Sequence, residues 1–574
     1  MGKRAPSVQI SRHGVRWGIL LFIATFAVVP LQGQRPSSLA DTESVFDEVV
    51  DVRVINLEAV VVDGKGNRVQ GLSADDFVLL VDGREVPIGY FSEIENGALV
   101  QRPSAIEQPV PPGVTSEGTA GNNFLLYVDD NHTVKRERDL LVRNLIEDLS
   151  ALGRNDSMAI VVASGTDLKV LSGWTQDRAA LQTALQRLLD ASDFCGTFCS
   201  PIRNVRRTSL RRTGPAFESG FAQPTVGVNA PRGGLPSLGE GRLLGNPADL
   251  PSLPSAQQIG FDDPVAQLID LELALSGALS TLMGFDPPTG RKVMLLMSGE
   301  WPIGNFRRGT STFSTLTELE LMNPLIETAN LRGYTLYPIN ENSAESIWRN
   351  STFSRVAQRT GGRTLSRRTE ILADAVSDTS SYYWLGFTPD LLGDDRGHRV
   401  KLKARRPGLK VRSRRGYVDL SREGRMAMDA QGALFFGRDS ELGDLALAFG
   451  EPERLGLRRM KVPLTLRIPL DALQSVPVSG EEQIEIEVRF AVVNENGATA
   501  DVPTVTRILR GENRKGDVYE LDVELTMRRV PHALLAAIHD RASGRTLRVR
   551  GGIGPEGEIA TLHPPNRIAS GSGR

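Results

Sequence analysis

The chain has 574 residues, 40% of them hydrophobic and 24% charged. This is the balance of a globular protein with several cores, which excludes wholesale disorder and a polytopic membrane protein. Its 67 basic and 69 acidic side chains sum to a net charge of −2, so no global cationic field exists to hold nucleic acid or an anionic membrane surface. Two cysteines, Cys195 and Cys199, are too few for a disulfide-dense scaffold or a multi-cysteine metal centre.

Lys3, Arg4, Arg12 and Arg16 precede the uncharged run WGILLFIATFAVVPL from Trp17 to Leu31, the charged and apolar regions of an export signal. Pro30 and the polar Gln32-Gly33-Gln34 end the run before the roughly 20 apolar residues that a spanning helix needs. The expectation is a signal peptide over residues 1–33 and an exported chain, periplasmic or extracellular, with no stable membrane span in its mature part. A retained N-terminal anchor is the alternative.

Residues 44–95 alternate as strands around turns at Gly64-Lys65-Gly66-Asn67 and Asp82-Gly83, which predicts an N-terminal β module. Residues 96–121 are rich in Pro, Gly, Ser and Glu and read as a linker. From 122 to 370 the pattern changes. FLLYV (124–128) and VMLLM (293–297) are continuous apolar runs of strands buried on both faces, and Leu141, Leu145, Leu149 and Leu152, like Leu268, Leu271, Leu275, Leu279 and Leu282, recur at helical spacing. These elements predict a doubly wound, mostly parallel α/β sheet. Residues 191–262 interrupt it with eight prolines and ten glycines among 72 residues, too many breakers for regular structure.

Strand patterns return over 381–420 (SYYWLGFTP, HRVKLKA, KVRSRRGYV) and over 430–565 (VPLTLRIPL, QIEIEVRFAVVN, VYELDVELTM). The first set is expected to pack with the N-terminal module, because residues 44–95 alone supply few strands for a stable sheet; the second predicts a C-terminal β-sandwich. The fold class is therefore α/β plus all-β, with the α/β layer inserted in a β domain.

Ligands of open parallel sheets sit at the carboxyl ends of the strands. There this chain places FLLYVDDNHT, with Asp129, Asn131 and Thr133 spaced at i, i+2 and i+4. Such a loop can turn three oxygen-bearing side chains toward one hard cation. The same residue types also turn a chain and cap a following helix, and both readings stand at this point.

Together with LSGWTQDRAAL, RKVMLLMSGE and RVAQRTGGRTL, this loop resembles a von Willebrand factor type A domain. The flanks VVDGKGNRVQGLSADDFVLLVDGREVPIGYFS, YYWLGFTPD and RRPGLKVRSRRGY resemble the VWFA-related proteins of acidobacteria. The resemblance covers about residues 44–420. It implies a metal-ion-dependent adhesion site, D-x-S-x-S on the first loop, matched by Asp129, Asn131 and Thr133 with oxygen-for-oxygen changes, and binding of Mg²⁺ or Mn²⁺. The family's later Asp is replaced here by Ser298, leaving Glu300, Asp130 or Asp263 to restore the charge, and the second-loop Thr has no clear counterpart.

None of the six histidines lies in an H-E-x-x-H motif, and neither a G-x-S-x-G elbow nor a Walker-type phosphate loop occurs. The chain therefore reads as a non-enzymatic binding module that engages a protein or envelope partner, with an envelope assembly component or an uncharacterised hydrolase as alternatives. In an exported chain, Cys195 and Cys199 are expected to form a disulfide, since three intervening residues permit the roughly 5.5 Å Cα separation it needs.

Overall fold

A computed structural model describes residues 54–100, 114–190, 225–226, 264–301 and 322–557, stretches of a few residues within these ranges excepted. The expected signal peptide, Cys195, Cys199 and nearly all of the 191–262 excursion lie outside the described residues. Among the described residues, no helix is long and apolar enough to cross a membrane.

Five strands come first: β1 (Ile55–Val62), β2 (Phe77–Val81), β3 (Arg84–Val86), β4 (Tyr90–Glu95) and β5 (Ala98–Val100). Next are β6 (Asn122–Asp129), α1 (Lys135–Asp148), β7 (Ser157–Ser164), β8 (Asp167–Thr175), α2 (Arg178–Asp190) and the two-residue β9 (Thr225–Val226). Then come α3 (Pro264–Gly284), β10 (Arg291–Met297), α4 (Asn323–Arg332), β11 (Tyr334–Asn340), α5 (Ile347–Arg359), β12 (Leu365–Ser366) and α6 (Ile371–Thr379).

The central sheet has the order β12-β11-β10-β6-β7-β8. Its pairings are parallel except that of β7 with β8. Because side chains alternate across a strand, Leu125, Tyr127, Met294 and Leu296 face a core shared with α3, α4 and α5, while Phe124, Leu126, Val128, Val293 and Leu295 face α1, α2 and α6. Both faces are covered, which is why these strands carry no polar alternation. The leucine spacing around α1 outruns the helix itself: Leu149 belongs to a single 3₁₀ turn, Leu149–Ala151, and Leu152 follows it.

The chain continues through β13 (Tyr382–Phe387), β14 (Arg396–Ala404), β15 (Lys410–Arg412) and β16 (Gly416–Asp419). These strands pair with the first five in two small sheets, β15-β1-β13-β4-β5 and β16-β14-β2-β3. Ile55 lies opposite Phe387, and Val81 opposite Val400. Leu57, Phe77, Leu79, Phe91, Leu385 and Val400 fill the core between them. On β14, Val400 and Leu402 are buried while Lys401 and Lys403 are exposed, so that basic stripe is a solvent face.

Asp82 and Gly83 both have positive φ, 49° and 86°, the backbone of a two-residue hairpin. Asn96 and Gly97 repeat it with φ of 50° and 78°. That second turn corrects the expectation of a linker from residue 96, because it folds Ala98–Val100 back onto β4.

Where the small sheets meet the α/β layer, one carboxylate gathers several cations. Asp378, at the end of α6, accepts hydrogen bonds from Arg68 (2.7 Å), Arg412 (2.6 and 2.8 Å) and the Tyr337 hydroxyl (2.7 Å). Arg363 lies 3.5 Å away. Burial alone would raise the Asp378 pKa, but Arg412, Tyr337 and Arg363 outweigh it and hold the group at about 2.

Helix α7 (Arg422–Phe436) opens the C-terminal part of the chain, so the segment expected as a sandwich from about residue 430 starts with a helix. It crosses α3 at Gly284 and Gly432; a Cβ on Gly284 would stand 2.2 Å from the Gly432 carbonyl oxygen, a distance only glycine tolerates. Ala430, Ala433 and Leu434 pack on Ala491, Val493, Leu535 and Ala537 of the strands beyond.

Those strands are β17 (Ala446–Phe449), β18 (Glu453–Leu455), β19 (Arg459–Pro469), β20 (Val476–Val478), β21 (Glu481–Asn494), β22 (Thr499–Asp501), β23 (Val505–Leu509), β24 (Val518–Arg528), β25 (His532–Asp540) and β26 (Thr546–Ile553). They form two antiparallel sheets, one built on β19 and β24 and the other on β21, β25 and β26. Their alternate residues (Val462, Leu464, Leu466, Leu525 against Ile486, Val488, Phe490, Ile538) share one core. Strand β9 adds to the first sheet at β24.

His532 is buried at the start of β25, where its Nδ1–H donates to the Val530 carbonyl at 2.7 Å. Burial, only partly opposed by that bond, lowers its pKa to about 4. Between about pH 6.5 and pH 4 the unfolded chain therefore binds a proton that the native chain does not, so stability is intact above this window and falls as pH drops through it. The expected loss is about 3 kcal/mol. Urea unfolding of the sandwich at pH 7 and pH 4.5 measures it, and His532→Gln should flatten the slope; equal pH dependence in both proteins would refute the assignment.

Candidate functional site

Strand β6 runs between β10 and β7, in a register that places Met297 opposite Val128 and Ala163 opposite Asp129. Ser298 is thereby delivered beside Asp129, and its hydroxyl donates to Asp129 Oδ2 at 3.0 Å. The Trp301 indole N–H donates to the same oxygen. His132 Nδ1 lies 2.9 Å from Oδ2 and 3.1 Å from Oδ1. Asp129 is fully buried, and these donors replace the water its charge would otherwise require.

Thr133 is also fully buried, and its hydroxyl donates to the Asp129 carbonyl at 2.7 Å, closing the turn that leads into α1. Asn131 is buried beside it. The structure thus brings Asp129, Asn131, Thr133, His132 and Ser298 together. Glu300 and Asp263 lie outside the described residues.

Asp130 turns toward α1. Its Oδ1 accepts from the Arg138 guanidinium at 2.6 Å, with both side chains buried, and Arg138 also holds Asp139 at 2.8 and 3.0 Å. Burial raises the Asp130 pKa and Arg138 opposes the shift without cancelling it, so this pair contributes specificity of position rather than much stability. On the opposite face the fully buried Tyr127 hydroxyl has no hydrogen-bond partner among the described residues. It lies 2.6 Å from where a Cβ on Gly277 would stand, so a larger residue there would have to push the Tyr127 hydroxyl aside.

This geometry bears on Mg²⁺ or Mn²⁺. A hard cation needs several oxygens facing an open position. Here the Asp129 carboxylate faces Ser298, His132 and Trp301, and an indole N–H donates only and cannot ligate. The residues as folded do not fit the ion; a cation would have to displace Trp301 and His132. Trp301 is the member that sequence reasoning misses, because a tryptophan a few residues beyond a strand carries no ligand spacing.

A second group of side chains lies in the small sheets. Asp394, His398 and Asp419 place ligand atoms within 4.8 Å of one another. No metal-ligand motif marks them, since the pairing of β14 with β16 brings them together.

No protein-family model matches the chain, and no curated protein matches it. Among solved structures it is similar to the von Willebrand factor type A protein from Catenulispora acidiphila, with 10% identity and a TM-score of 0.22 over 88% of this chain and 75% of that one. It is also similar to the PilB minor pilin from Streptococcus sanguinis, with 13% identity and a TM-score of 0.22 over 46% of this chain and 61% of that one.

Proposed function

We propose that this chain is an exported protein-binding module of the von Willebrand factor A kind, akin to the VWFA-related proteins of acidobacteria, which engages an envelope protein and catalyses no reaction. Its contact surface is the loop face at the carboxyl end of the central sheet. The observation that carries this reading is the buried node at Asp129, where donors from the loops after β6 and β10 converge on one carboxylate. An open α/β sheet presents its ligand surface at that end. Asp129 organises the surface from below, and Asn131 and Thr133 set the path of the loop into α1.

Lys135 and Arg136 are exposed at the start of α1, beside the node, and are suited to test the surface without disturbing the core. Immobilised protein would be used to capture envelope proteins from its source cells. Lys135→Glu with Arg136→Glu is expected to reduce capture at least ten-fold with the melting temperature unchanged. Capture unaffected by this double variant would move the contact surface to the C-terminal sandwich, and a self-assembled wild type in light scattering would favour the assembly reading.

A further inference from the structure

We propose that Asp394, His398 and Asp419 form a zinc site, with Asp82 orienting its histidine, at the seam between the strands that precede the α/β layer and those that follow it. Asp82 sits in the β2–β3 turn, Asp394 just before β14, His398 on β14 and Asp419 at the end of β16. His398 lies opposite Tyr417, and Arg396 opposite Asp419, across the β14–β16 pair. Three carboxylates, from the β2–β3 turn, the approach to β14 and the end of β16, therefore gather around one imidazole.

The imidazole is held by its far nitrogen. Asp82 Oδ2 lies 2.8 Å from His398 Nδ1, while Asp82 Oδ1 accepts from the Arg399 backbone N–H at 2.8 Å. A carboxylate fixed in this way holds the proton on Nδ1 and turns Nε2 toward Asp394, the orientation seen for metal-ligating histidines. The His398 ring is further steadied by stacking on Tyr417, with centroids 5.0 Å apart and planes 19° apart.

On the Nε2 side, Asp394 Oδ1 is 3.4 Å away. Tetrahedral zinc with ligand bonds of about 2.0–2.1 Å separates neighbouring ligand atoms by about 3.3 Å, whereas an octahedral ion with bonds of about 2.1 Å requires about 3.0 Å. The His398–Asp394 spacing lies near the tetrahedral edge, and the Asp419 ligand atom lies within 4.8 Å of both. A nitrogen donor also favours zinc over Mg²⁺ or Ca²⁺, which prefer all-oxygen shells.

Asp419 supplies the third ligand from the buried side, placed by the Gly393 N–H, which donates to its Oδ2 at 2.8 Å. Gly393 and Asp395 flank Asp394 with φ of 57° and 56°, so the segment doubles back over the end of β16. His398 and Asp394 keep side-chain exposures of 19% and 24%, which leaves an entry path from solvent. With three protein ligands, a water or a partner's side chain takes the fourth position.

The test is calorimetric titration of the metal-free full chain with Zn²⁺ at pH 7.5, with Mg²⁺ and Ca²⁺ as controls, beside melting temperatures with and without zinc. The expected result is one zinc per chain, a higher melting temperature with zinc, and no response to the controls. His398→Ala and Asp394→Asn should each weaken binding at least 100-fold; the partly exposed Asp394 covers the case in which the histidine variant misfolds. Asp82→Asn should weaken it about ten-fold while keeping the stoichiometry, a pattern that a purely structural Asp82 would not produce. Absence of zinc binding, or binding that survives both ligand substitutions, overturns the proposal. The loop-face variant Lys135→Glu with Arg136→Glu should bind zinc normally, which separates this site from the partner-binding surface.

Discussion

Asp129→Ala is expected to destabilise the α/β layer by about 4 kcal/mol, since it removes one acceptor and strands three buried donors. The Ser298 hydroxyl, the Trp301 indole and the His132 ring all turn toward that carboxylate, which is fully buried. Asp129→Asn keeps one acceptor oxygen but points an NH₂ group at donors, so it should recover less than half of the loss. Urea midpoints for the three proteins measure both effects, and a cost below about 1 kcal/mol for the alanine variant would show that the donors are satisfied elsewhere. Because the carboxylate is held by protein donors, the melting temperature of the metal-free wild type should be the same with and without millimolar Mg²⁺. A magnesium-dependent rise would mean that the ion expels Trp301 and His132.

Asp378→Ala is expected to cost about 2–3 kcal/mol, less than the loss on breaking a fully buried ion pair, because Arg68, Arg412 and Arg363 keep side-chain exposures of 26%, 22% and 38%. Arg68, Arg412 and Arg363 would face one another without the carboxylate they share. Two of these arginines belong to the small sheets or their turns and one to the segment after α5, so the variant should loosen the seam before either core melts. Faster amide exchange in β1 and β15 than in β6 would show this. The pH dependence has a fixed sign: the folded pKa of about 2 lies below the ordinary carboxylate value of 3.8, so the contribution is complete above about pH 4 and is lost as pH falls toward 2. It amounts to about 2 kcal/mol in the wild type and is absent in the variant.

The central sheet is legible in the sequence because its signal is local. FLLYV and VMLLM have no polar alternation, and a strand covered by helices on both faces permits none; the two runs are immediate neighbours as β6 and β10. The Asp82-Gly83 turn is legible for the same reason, since the dipeptide itself sets the backbone. Asn96-Gly97 carries an equal signal, but the Pro- and Gly-rich composition after it masks β5. Helix α7 is harder to read, as its alanines and glycines contact α3 on one side and the sandwich on the other and so produce no single apolar stripe.

The site is legible only in part. Asp129, Asn131 and Thr133 lie close together along the chain, whereas Ser298 and Trp301 reach Asp129 through a strand register that spacing does not encode. The Asp378 cluster and the Asp82, Asp394, His398 and Asp419 group are invisible for the same physical reason. Arg68 and Arg412 meet at Asp378, and Asp82 meets His398, only through pairing across the α/β layer, while Asp394, His398 and Asp419 meet through the β14–β16 register; no local pattern records which strand will become a neighbour.

The joining of the first strands to those after the α/β layer also has a consequence in time. The Leu72 backbone N–H donates to the Tyr383 hydroxyl, 311 residues later in the chain, and β1 and β4 both need β13 between them. A ribosome adding roughly 5–20 residues per second takes roughly 15 to 60 seconds to reach that partner. For this interval Leu57, Phe77 and Phe91 have no core to enter, while α1, β7 and their neighbours can already collapse together. Strands β1 to β5 are therefore made before the α/β layer yet become native after it, and nascent chains stalled before β13 should expose them to holding chaperones and to proteases.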